Sequence, residues 1–179
     1  MTIRTMVQAA LLATITSVLA QIAIPLPGGI PFTLQVFGVF LSILLLGKKA
    51  FWGMLTYLLL GVIGLPVFAQ AQGGIGIILG PRGGYITGFV ISGLVGGYVV
   101  EHAKFSLKGK ILGTLISLVI IYFTGTIQLA FTTKLSISEA LTVGTLPFIS
   151  LDILKGVMAI VLSKYIHKAL PGAGVNING

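Results

Sequence analysis

The chain has 179 residues, 56% hydrophobic and 8% charged, with a net charge of +8 and a mean hydropathy of +1.11. Soluble domains carry about 25% charged residues, so this chain has too little polar surface to coat a soluble core. The basic residues fall in short groups between apolar blocks without interleaved aromatics, which argues against nucleic acid. Cysteine does not occur, which excludes a disulfide framework, a thiolate metal site and a thiol nucleophile.

Six apolar blocks approach membrane-spanning length, roughly 20 residues, and predict an all-α integral membrane protein with a single domain over residues 1–179. The first covers residues 6–24 and stops at Pro25-Leu26-Pro27-Gly28-Gly29. The second, 33–46, ends at Lys48-Lys49 and is short enough for its start to be re-entrant. The third covers 51–68. A Gly-rich stretch at 70–84 separates it from the fourth (85–100), the fifth (111–131) and the sixth (146–166). With a cytoplasmic N-terminus, Arg4, Lys48, Lys49, Lys104, Lys108, Lys110, Lys164 and Lys168 lie inside, and Arg82 and Lys134 lie outside. The positive-inside rule therefore puts both termini in the cytoplasm. The outer loops are 25–32, 70–84 and 132–144, and the Gly and Pro of the first two suit segments that fold over a cavity.

Asp152 and Lys155 interrupt the sixth block three residues apart. That spacing puts acid and base on one helical face, and charge within a bilayer is costly and usually functional. The pair reads as a ligand site, with a packing salt bridge as the compatible alternative and proton relay as a third. Gln35 and Tyr85 flank the outer loops and rank as cavity candidates above Tyr57, Tyr122, Thr124, Thr126 and Gln128. Ala9, Ala10 and Ala13 permit close helix contact, inside the chain or with another subunit. The Gly-rich stretch lacks the Gly-Lys-Ser/Thr ending of a phosphate loop, so the chain carries no ATPase motif. Neither catalytic triad nor metal-ligand spacing is evident, and no cofactor is implied.

Several pieces together resemble the BioY family, the biotin-specific substrate-binding (S) components of energy-coupling-factor (ECF) vitamin transporters. They are Ile24-Pro25-Leu26 with Pro31-Phe32-Thr33-Leu34-Gln35, and Gly61-x-x-Gly64-Leu65-Pro66-x-Phe68. Further on come Gly73-Gly74, Leu79-Gly80-Pro81-x-Gly83-Gly84-Tyr85 and Pro147-Phe148-x-x-x-Asp152-x-x-Lys155. The resemblance implies six transmembrane helices in a bacterial cell membrane and high-affinity biotin capture and uptake. It also implies a transmembrane coupling (T) component and two ATP-binding cassette ATPases as partners. Asp152 suits the ureido N–H donors, and Lys155 suits the ureido oxygen or the carboxylate. Arg82 is placed to pair with the carboxylate, Gly73, Gly74 and Tyr85 to form a lid or wall, and Gln35 to hydrogen-bond the ligand. Ala9 and Ala13 map onto the family's contact with the coupling protein. An S component for another vitamin, a self-sufficient secondary transporter and a membrane scaffold are the alternatives.

Overall fold

The computed structural model describes residues 2–25 and 30–172, which are mostly helical. Helix α1 (Ile3–Gln21) starts where the Thr2 hydroxyl accepts from the Thr5 amide at 3.3 Å, satisfying one N–H that a helix start leaves unpaired. A two-residue antiparallel ribbon follows. It pairs β1 (Ala23–Ile24) with β2 (Phe32–Thr33), Ala23 opposite Thr33 and Ile24 opposite Phe32. The ends of the loop expected at 25–32 are thus laddered together, while its Leu26 lies outside the described residues.

Helices α2 (Gln35–Leu46) and α3 (Ala50–Val62) are joined by a single 3-10 turn, Gly47–Lys49. By length and composition the whole run could be one span, but a hydrogen bond from Gln35 Nε2 to the Tyr57 hydroxyl rules out a straight rod. Twenty-two residues of continuous helix would hold those groups about 33 Å apart. The chain therefore doubles back at Gly47, whose φ of +57° suits glycine. A Cβ at Gly47 would also crowd the Glu101 and Phe105 side chains. Helix α2 is buried at every position except Val36 and Phe37, so it reads as apolar all round because it is central.

The Gly-rich stretch is not a plain loop. It holds the short helix α4 (Ile75–Leu79) before α5 (Gly83–His102). Helix α6 (Leu107–Thr133) starts at a Ser106 cap and packs along α5, where Gly84 and Gly88 meet Thr124, and Gly96 meets Gly113 and Ser117. Small residues on such a seam let membrane helices approach closely. The loop expected at 132–144 contains α7 (Ile137–Gly144), opened by a Ser136/Glu139 capping box. A bend of 52° separates α7 from α8 (Ile149–Gly172).

Among the described residues, four helical stretches are long and apolar enough to cross a membrane, taking Gln35–Val62 as one, and the bent α7–α8 pair makes a fifth. Large apolar side chains stand exposed along α1 (Val7, Leu11, Val18), α6 (Val119, Phe123) and α8 (Leu154, Met158, Val161), as on a lipid-facing surface. One end of the bundle gathers the α2–α3 turn, the α5–α6 turn and the end of α8. There Lys48 pairs with Glu101 at 3.2 Å, and Lys110 donates to Ser163 at 3.0 Å. The candidate site occupies the other end.

Candidate functional site

The bend before α8 places the first turn of that helix inside the fold, so Asp152 and Lys155 are 3% and 5% exposed. Lys155 Nζ donates to Asp152 Oδ1 at 2.6 Å and to the Thr33 carbonyl at 2.7 Å, and lies 4.0 Å from the centroid of the Phe32 ring. The Tyr122 hydroxyl of α6 donates to Asp152 Oδ2 at 2.8 Å. The positive end of the α8 dipole further favours a carboxylate there. An ammonium has three donors and a carboxylate about four acceptor sites. Among the described residues, one Lys155 donor and two Asp152 acceptor sites therefore remain for a ligand.

These groups face a cavity enclosing about 640 Å³ of empty space, its open mouth included. Its wall is largely apolar, with Ile30, Val36, Phe68, Ile77, Phe89 and Phe148 among the lining residues. A mostly apolar space with a few placed polar groups is the usual form of a small-molecule site. Nothing in the lining resembles a nucleophile with its base, and no cluster of three or more metal-ligating side chains occurs among the described residues.

Six residues singled out in the sequence line this one cavity: Asp152, Lys155, Gln35, Tyr85, Arg82 and Tyr122. Gln35 accepts from the Thr33 hydroxyl at 2.9 Å and donates to Tyr57. Tyr85 donates to the Gly144 carbonyl at 2.8 Å and ties α5 to α7. Arg82 donates to Gln72 at 2.7 Å. Burial lowers its pKa from the ordinary value, but a guanidinium stays a cation in a protein.

Two other pairs of candidates lie away from the cavity wall. Gly73 and Gly74 are not cavity-lining residues. A Cβ at Gly73 would overlap the Leu65 carbonyl, and the Gly74 amide donates to the Gly61 carbonyl at 2.6 Å, so both brace the loop from behind. Ala9 and Ala13 are 2% and 1% exposed, and the Ala9 backbone abuts Gly53 of α3. Their side chains pack inside the fold. Tyr122, a lesser candidate in the sequence, is the one that holds Asp152, and Gln21, which carries no sequence signal, sits beside the cavity's cover. Gln21 accepts from the Ala71 amide at 2.8 Å and donates to the Phe68 carbonyl at 3.3 Å, clasping the end of α1 to the segment that carries Phe68 and Ala69 over the cavity.

Fold and site together define a class, a helical membrane protein with an apolar binding cavity and one buried ion pair on its wall. Within that class the chain belongs to the BioY family, whose model matches residues 1–172. It is 41% identical over 168 residues to the biotin transporter BioY of Thermotoga maritima, covering 92% of this chain and 96% of that one. It is 41% identical over 158 residues to the probable biotin transporter BioY of Pyrococcus horikoshii, covering 87% and 91%. The fold resembles the crystal structure of an S-component for biotin from an ECF-type ABC transporter, with a TM-score of 0.85, 27% identity, and coverage of 93% of this chain and 92% of that one.

Proposed function

We propose that this chain binds biotin in the cavity and carries it across the cell membrane as the S component of an ECF transporter. The observation that carries the reading is the Asp152–Lys155 pair, 2.6 Å apart and facing an apolar cavity. A cyclic ureido group presents its carbonyl oxygen and an adjacent N–H along one edge. The pair offers the complementary set, a free Lys155 donor beside free Asp152 acceptors. Phe89, Phe148 and their apolar neighbours suit the bicyclic body, while Arg82, at the partly exposed side, suits the carboxylate tail. A compound without the ureido group leaves buried polar groups unpaired, which is the strongest basis for discrimination in such a site.

The supporting architecture is one domain with six helical passes, α1, α2, α3, α5, α6 and α8, the second and third being the short arms of the hairpin. Both termini then lie at the lysine-rich end, which the positive-inside rule assigns to the cytoplasm of a bacterial cell. Energy comes from partners, a transmembrane coupling protein and two ATPases, because the chain has no phosphate-loop motif. Helix α1 meets the coupling protein through the flank where Ala10 and Thr14 stand exposed.

Calorimetric titration of the purified chain, stripped of any co-purified ligand, is expected to show stoichiometric biotin binding and no heat with riboflavin or thiamine. A heat with either control and none with biotin would replace the vitamin. The Gln21 clasp gives a second expectation. Gln21→Ala removes hydrogen bonds worth about 0.5–1.5 kcal/mol each from an exposed position. Labelled biotin should then dissociate about three- to tenfold faster, with a modest fall in the thermal midpoint. An unaltered off-rate would show that the covering segment does not limit release.

A further inference from the structure

We infer that Tyr122 is a positioning residue for Asp152, an inference that rests on reading the cavity as the biotin site. Lys155 holds Oδ1 from the same helix, one turn away. Through its own bond to the Thr33 carbonyl, Lys155 ties Oδ1 to β2 but leaves Oδ2 to be held from elsewhere. Tyr122 holds Oδ2 from α6, thirty residues away in sequence. Among the described residues it is the one hydrogen bond from another element to this carboxylate. Two donors at different oxygens set the plane of the carboxylate. With the plane set, the unused acceptor sites keep a fixed direction relative to the cavity wall, which Tyr122 itself lines. Orientation of the acceptor, rather than its charge alone, then matches one ureido edge.

Asp152 is the sole aspartate of the chain, beside Glu101 and Glu139. Protein labelled with carbon-13 at the aspartate carboxyl therefore gives a signal that reports this one group. Tyr122→Phe keeps the ring and removes only the hydroxyl. The expected result is a displaced aspartate resonance in ligand-free protein and a biotin affinity lower by about tenfold, the usual scale for a hydrogen bond to a charged group. In an Asp152→Asn background the same change should cost less than about twofold, because the oriented charge is already gone. A purely structural phenol would lower affinity equally in both backgrounds and leave the resonance in place, and either result overturns the proposal. Wild-type protein that ignores biotin would instead overturn the biotin reading. The carboxylate signal would still decide, without ligand, whether Tyr122 holds Asp152.

Discussion

Asp152→Asn is expected to cut biotin affinity by about 10- to 150-fold while leaving the chain folded. A hydrogen bond to a charged group is worth about 1.5–3 kcal/mol, and each 1.4 kcal/mol is about a factor of ten. The substitution keeps the shape and the bond from Tyr122 but removes the charge and turns one acceptor into a donor. Asp152→Asn leaves Lys155, 5% exposed, without its counter-charge and so also lowers stability; Lys155→Met has the mirror effect. It strands the Asp152 carboxylate, 3% exposed, with one neutral donor. Breaking a buried pair from one side costs about 3–5 kcal/mol, so this variant should lose both binding and much of its thermal stability. The double variant Asp152→Asn/Lys155→Met removes both charges and should regain stability without regaining affinity. Melting curves and titrations of the three proteins separate the roles. Full affinity in Asp152→Asn would sink the site assignment. A double variant no more stable than Lys155→Met would mean that the pair is not the electrostatic unit the geometry describes.

The Asp152–Lys155 pair was legible because charge stands out against apolar sequence and i, i+3 spacing needs no tertiary knowledge. Gln35, Tyr85 and Arg82 were legible for a weaker reason, their place beside the outer loops. Tyr122 stood out only as one polar candidate among several, since one tyrosine in a long apolar helix looks the same whether it touches lipid or a carboxylate thirty residues away. Gln21 was not legible, because its partners lie 47 and 50 residues on. Ala9 and Ala13 show a deeper limit. Lipid is about as apolar as a protein interior, so α1 carries no amphipathic stripe to tell its packed face from its open one. One more feature was legible. Ser136 and Glu139 spell a capping box, enough to place a helix start within the loop expected at 132–144. The shortness of the second block suggests a re-entrant start, whereas the Gln35–Tyr57 bond shows a hairpin between the second and third blocks.

Gly61→Val should damage the site without touching a polar group. Gly61 lies buried near the end of α3, and a Cβ there would overlap the Phe68 ring. That ring is 1% exposed, stands edge-on to Tyr57 with centroids 5.5 Å apart, and forms part of the cavity wall. The Gly61 carbonyl also accepts from the Gly64 and Gly74 amides at 3.0 and 2.6 Å, which seats the covering segment on α3. Overpacking of a dense core costs about 1–3 kcal/mol. Here the easiest relief is to move Phe68 away from α3, and the cavity is the empty space beside it. A fall in biotin affinity of about tenfold or more is expected, with a thermal midpoint lowered but still cooperative. Gly76→Ala is the matching control, because a Cβ there meets nothing within 4 Å. It should stay within about 0.5 kcal/mol of wild type. Adding Phe68→Leu to Gly61→Val trims the displaced side chain and should recover part of the affinity. If it recovers none, the loss comes from unseating the covering segment rather than from a ring pushed into the ligand's place.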